Sequence, residues 1–179
     1  RHLISKRASS TPDTLAHALD AIGRLAGPES SASIVAAMQP LLAAAPMEGY
    51  GLDEWASLRQ RALVAVSSAM ASRAGQEAAL TDEGASLRCV ANVLVESDAP
   101  AELVRTAMAA VGKAARLREG RNFLADSVPV AIDALVRVAA ARSEAPETSE
   151  VALLALATLA PHAQVRALLR GEGPIAAES

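Results

Sequence analysis

A chain of 179 residues, 51% of them apolar, can bury a sizeable core as one domain or as a stretch of a longer array. Aromatics are only 2% while the strong helix formers Ala, Leu, Arg and Glu dominate, which excludes a β-rich fold and points to an all-α one. A net charge of −3 gives no global reason to bind nucleic acid or an acidic membrane surface, and the single Cys89 excludes an internal disulfide.

No apolar run reaches the roughly 18 to 20 residues that span a bilayer, because Asp, Glu, Arg or Pro interrupts each candidate. These features predict a soluble intracellular protein, cytoplasmic unless a basic leader has been removed for organelle import.

Arg1, Lys6 and Arg7 precede any acid, as they would after leader processing or truncation of a longer protein, so residues 1–10 read as a tail or flank. Residues 11–179 read as one repeat domain, a fragment of a longer array. Thr11-Pro12-Asp13 offers an N-cap with proline in the first helical turn, and Asp53, Asp98 and Thr148 or Ser149 sit just before later helical runs. Loops are expected near 27–32, 46–52, 97–100 and 143–148, the second carrying two glycines and a proline in "PMEGYGLD".

Four nine-residue stretches are alike: "ALDAIGRLA", "ALVAVSSAM", "AMAAVGKAA" and "ALLALATLA". Their starts, Ala18, Ala62, Ala107 and Ala152, lie 44, 45 and 45 residues apart. The spacing extends beyond these anchors. Ala78 and Ala79, Phe123 and Leu124, and Leu168 and Leu169 fall at one common offset, and Gly84, Pro129 and Pro174 at another, where they punctuate helices. Val130, Ile132, Leu135, Val136 and Val138, like Leu87, Val90, Val93 and Leu94 one unit earlier, recur at helical spacing. Each unit thus holds at least two amphipathic helices.

The segment "VRTAMAAVGKAARLREGRNFLADSVPVAIDALVRV" and the later "EVALLALATLA…VRALLRGEGPIAA" resemble armadillo repeats, with a pitch that also fits the related HEAT class. The resemblance implies a right-handed α-solenoid of about 3.5 units in which small residues permit close stacking and leucine, isoleucine and valine fill the gaps. It further implies a non-catalytic scaffold that binds a protein or peptide partner along a concave groove, with the third and seventh anchor residues facing the ligand. Those residues are Asp20 and Arg24, Val64 and Ser68, Ala109 and Lys113, and Leu154 and Thr158. Asp20, Arg24, Lys113 and Thr158 would supply polar contacts, Val64 and Leu154 apolar ones. The tryptophan and asparagine ladder of nuclear import receptors is absent at these positions. The helix "SLRCVANVL" also fits the anchor pattern, with Arg88 and Asn92 at the ligand positions, but it interrupts the spacing and reads as a partner helix. Its Leu87–Asn92 core resembles a short segment of the synembryn family, armadillo-type chaperones and exchange factors for G-protein α subunits, which supplies one alternative function. A structural subunit of a large assembly is the other.

Catalytic and metal-binding patterns are generic or missing. His2, His17 and His162 lack paired ligand spacing, no Gly-rich phosphate loop, "GxSxG" or "HExxH" occurs, and Cys89 reads as an inert thiol on an apolar helix face. Neither a metal nor a cofactor is expected. Arg105, Lys113, Arg116, Arg118 and Arg121 form a local basic stretch that reads as solvated helix ends, and Tyr50, Trp55 and Phe123 are too few for nucleic-acid stacking.

Overall fold

Alanine-rich runs punctuated by proline, glycine and short polar turns produce helix after helix. The computed structural model describes residues 12–24, 27–42, 51–141 and 145–172, with the backbone alone for Pro12 and Asp13. In chain order the described helices are α1 Pro12–Arg24, α2 Ser31–Met38, α3 Leu52–Ala69, α4 Arg73–Ala79, α5 Thr81–Asn92, α6 Ala101–Ala114, α7 Arg118–Ser127, α8 Pro129–Ala140, α9 Pro146–Leu159 and α10 Ala163–Leu169. Short 3-10 turns, Gln39–Leu42 and Val93–Val95, extend α2 and α5. Among the described residues there is no strand.

The described residues of the four anchor stretches form the C-terminal ends of α1, α3, α6 and α9, and these helices pack in a row, α1 on α3, α3 on α6, and α6 on α9. The helices run parallel, because residue pairs across each step advance together: Asp20 with Arg61 and Gly23 with Ala65, Gln60 with Thr106 and Ser67 with Lys113, Arg105 with Glu147 and Gly112 with Ala155. Behind the row, α2 packs on α3 and α4, the turn after α2 meets α5, the turn after α5 meets α8, and α8 packs on α9.

Small residues set the row's spacing. A β-carbon built on Gly23 would touch Ala65 Cα at 3.6 Å, and one on Gly112 would meet Ala155 Cα at 3.3 Å, so the sixth anchor residue of one helix packs against the fourth of the next. Larger side chains fill the interior: Leu63, Val66, Met108, Val111, Leu124, Ile132 and Leu135 are fully or almost fully buried, each contributing about 1.5 to 3 kcal/mol.

The turn that leaves the row also repeats. Gln76 Nε2 donates to the Met70 carbonyl at 2.9 Å, Arg121 Nη1 to Ala115 at 3.0 Å and Arg166 Nη1 to Ala160 at 3.3 Å, each reaching back six residues to a helix end whose carbonyls lack intrahelical donors. Gly75 and Gly120 occupy one register position in this turn, against the carbonyls of Ala69 and Ala114, where a β-carbon would come closer than 3.0 Å. Val165 holds that position in α10 and is buried.

Several expected boundaries move. The helix expected after Asp53 starts at Leu52, with Gly51 as N-cap and Glu54 Oε2 accepting the Gly51 amide at 3.2 Å, so Asp53 belongs to the first turn. Pro100 rather than Asp98 precedes α6. Pro146 opens α9, which places Thr148 and Ser149 inside it, and Ser149 Oγ donates to the Val138 carbonyl of α8 at 2.9 Å. Thr11, residues 46–50 of the second expected loop and Pro174 lie outside the described residues. Gly84 marks a break, as expected, but the break is wider than one residue: Asp82, Glu83 and Gly84 all have left-handed φ, at 51°, 56° and 71°. Left-handed backbone costs a non-glycine residue about 1 to 2 kcal/mol, so Asp82 and Glu83 store strain at this junction. Phe123 lies over Gly84, and the Arg88 guanidinium sits 5.3 Å from the Phe123 ring centre.

Candidate functional site

The eight residues expected to face a partner occupy equivalent positions on the four helices of the row. Val64 and Leu154 are exposed, at 44% and 64%; Val64 lies within a largely buried anchor stretch, whereas Leu153 and Ala157 beside Leu154 are exposed as well. Ala109 is half-buried between them in sequence order, and Arg24 is exposed at the end of α1. Asp20, Lys113 and Thr158 are engaged within the fold. Asp20 forms an ion pair with Arg61 of α3, and Thr158 Oγ1 donates to the Ala155 carbonyl of its own helix at 2.7 Å. Ser68 is half-buried.

Lys113 is tied down most firmly. Its Nζ donates to the Ser67 carbonyl at 2.8 Å and to Ser67 Oγ at 2.9 Å, reaching from α6 to the last turn of α3. That turn has no basic residue of its own, so the neighbouring helix supplies the cation that the negative end of the α3 dipole favours. Burial holds the Lys113 ammonium below the usual lysine pKa, and the nearby Arg116 charge adds to the shift.

Polar bridges cross every step of the row. Asp20 pairs with Arg61 across the first, Gln60 Nε2 donates to Thr106 Oγ1 at 3.2 Å across the second, and Arg105 reaches Glu147 at 3.2 Å across the third while also pairing with Glu102. Sequence reasoning named Asp20 as a groove residue and Arg105 as part of a basic stretch, and missed the pairings. Gln60 and Arg61, like Arg105 and Thr106, lie one helical turn before the third anchor positions Val64 and Ala109, whereas Asp20 is itself a third anchor residue and Glu147 lies two turns before Leu154.

A second missed feature is Arg59, buried within α3. Its Nε donates to the Leu42 carbonyl at 3.2 Å, and its two terminal nitrogens donate to Glu96 at 2.6 and 2.5 Å. This forked pair ties the turn after α2 and the loop before α6 to the row.

The basic stretch resolves in the same way. Arg105 and Lys113 are engaged across the row, Arg121 caps the end of the α6 segment, and Arg116 and Arg118 are exposed beside that end. Of the five, Arg116 and Arg118 fit the expectation of solvated helix ends, whereas Arg105, Lys113 and Arg121 are held by contacts within the fold. Trp55 is buried in the core and offers no surface for stacking. Arg88 and Asn92 are exposed on α5, which lies outside the row and packs on α6 and on the turn after α2.

Cys89 is half-buried, and desolvation raises its thiol pKa against the opposing charges of Arg59 and Arg88, so it is a poor nucleophile at neutral pH. His17 is exposed on α1, while His162 lies 3.8 Å from Asp126 and its buried Nδ1 has no hydrogen-bond partner. His2 lies outside the described residues. Among the described residues no three His, Cys, Asp or Glu side chains gather as a metal site would require, and no helix is long and apolar enough to cross a membrane. No family model and no curated protein matches the chain.

Proposed function

We propose that the row is part of a right-handed armadillo- or HEAT-type solenoid, and that the chain is a non-catalytic scaffold holding a protein or peptide segment across α1, α3, α6 and α9. The observation that carries this reading is the exposure of Val64 and Leu154 at one register position on a row whose steps are each cross-linked by polar bridges. Cross-linked helices present such positions without reordering, which lowers the entropic cost of holding an extended partner. Because Asp20, Lys113 and Thr158 are engaged internally, recognition falls to Val64, Ala109 and Leu154, with Arg24 as the exposed charge.

Photo-crosslinking tests this. A reactive residue at Ala109 or Leu154 should capture one and the same partner, and Val64→Asp should abolish both adducts. Val130, equally exposed but on α8, is the control. The same adducts from Val130, or adducts unaffected by Val64→Asp, would leave the row without a binding role.

A further inference from the structure

Lys6 and Lys113 are the lysines among 17 basic side chains, the rest being arginines. An arginine at position 113 could cap α3 but could not act as a nucleophile, because a guanidinium stays charged and has no lone pair to offer. Lys113 Nζ donates to the Ser67 carbonyl at 2.8 Å and to Ser67 Oγ at 2.9 Å. An ammonium has three N–H groups and a neutral amine two, so in the neutral form both hydrogens go to Ser67 and the lone pair takes the remaining direction. Burial favours that neutral form.

Arg116, three residues on, is exposed, and its guanidinium has no ion pair or hydrogen bond among the described residues. Its charge acts on Lys113. An oriented amine and an unpaired anion-binding group therefore share the end of α6.

We propose that Lys113 Nζ is an acylation site for a small acyl phosphate, with Arg116 holding the donor's phosphate. The lone pair attacks the acyl carbon, the bond from that carbon to the phosphate oxygen breaks, and the amine proton leaves with the phosphate as hydrogen phosphate. The guanidinium fork suits that phosphate both as part of the donor and as leaving group. The adduct keeps one N–H and no charge, so the last turn of α3 loses the cation at its negative end and keeps at most one of the two hydrogen bonds from α6. The inference rests on Lys113, Ser67 and Arg116 and is independent of the partner-binding reading.

The full chain is treated with acetyl phosphate and, separately, with the uncharged p-nitrophenyl acetate, and adducts at Lys113 and Lys6 are followed by peptide mass spectrometry. In the folded chain acetyl phosphate should label Lys113 severalfold faster than Lys6, and in concentrated urea the two should label alike. Arg116→Gln, at an exposed position, should keep its helical content. It should slow the acetyl phosphate reaction at Lys113 about fivefold more than the ester reaction, as expected for loss of one exposed charge pair. Labelling of Lys113 no faster than Lys6 in the folded chain, a preference that survives urea, or equal slowing of both reagents by Arg116→Gln overturns the proposal.

Discussion

One chemical change, glycine to alanine, should have opposite effects at different places in this fold. In α1, Gly23→Ala adds a methyl at ordinary contact distance, 3.6 Å from Ala65 Cα, while removing the backbone entropy that glycine loses in a helix. The expected gain is about 0.5 to 1 kcal/mol. Gly112→Ala brings the methyl to 3.3 Å from Ala155 Cα, so a similar gain is offset by a shift of the neighbouring helix, and the net effect should be close to zero. At Gly75 and Gly120 the new methyl would lie closer than 3.0 Å to a backbone carbonyl that cannot rotate away. Opening that turn strains the packing by about 1 to 3 kcal/mol and weakens the Gln76 or Arg121 bond, a further 0.5 to 1.5 kcal/mol. After the helix-propensity gain of about 0.5 to 1 kcal/mol, a net loss of about 0.5 to 4 kcal/mol, centred near 2, remains. Urea unfolding followed by circular dichroism reads all four, and with a slope of about 1 to 3 kcal/mol per molar the losses move the midpoint by about 1 M. The reasoning is refuted if Gly75→Ala and Gly120→Ala unfold at the parent midpoint, or if Gly23→Ala loses as much as they do.

Three more outcomes follow from the same contacts. Glu96→Ala strands the Arg59 guanidinium, whose side chain is 8% exposed, and should cost about 3 kcal/mol; Arg59→Met leaves Glu96 partly hydrated and should cost less, with the double variant below the sum of the two. An additive denaturation cycle would show that the pair does not couple. Ala110→Leu or Ala155→Leu, at positions at most 2% exposed, should overpack the row by about 1 to 3 kcal/mol, and a variant melting at the parent temperature refutes the close approach. Lys113 gives up its proton more readily folded than unfolded, so between its lowered pKa and the ordinary 10.5 the unfolded chain holds more protons and stability rises with pH. The wild type should therefore gain on Lys113→Met as pH climbs toward that range, and a constant difference between the two refutes the assignment.

The all-helical composition and the pitch were legible because alanine-rich anchors recur at fixed intervals, and all four anchors proved to be neighbouring helices. The "SLRCVANVL" helix lies outside the row, although it fits the anchor pattern. The cross-row chemistry was not legible. Asp20 and Arg61, or Ser67 and Lys113, stand 41 and 46 residues apart, and no local pattern says which members of two repeats will touch. Lys113 therefore read as a groove cation when its partner was a helix end. Helix starts were misplaced where proline or a glycine cap opens the helix, because side-chain caps such as Asp53 and Ser149 looked stronger in sequence. Nothing around Asp82 and Glu83 except the adjacent Gly84 signalled a left-handed turn.

The parallel row explains where the charges sit and limits what they can recognise. Helices stacked in one direction place like dipole ends side by side, which is unfavourable unless charges offset it. Asp53, Glu54, Glu102 and Glu147 occupy the first turns of α3, α6 and α9, while Arg24 and Lys113 occupy the last turns of α1 and α6. These charges offset the fold's own fields, and several are paired as well. A partner held on Val64, Ala109 and Leu154 is then read mainly by apolar contact, and its affinity should change little between low and moderate salt. The adduct yield from Leu154 measured across that range decides the point: a steep fall with salt would return the charged positions to the recognition surface and remove the argument that the fold has already committed them.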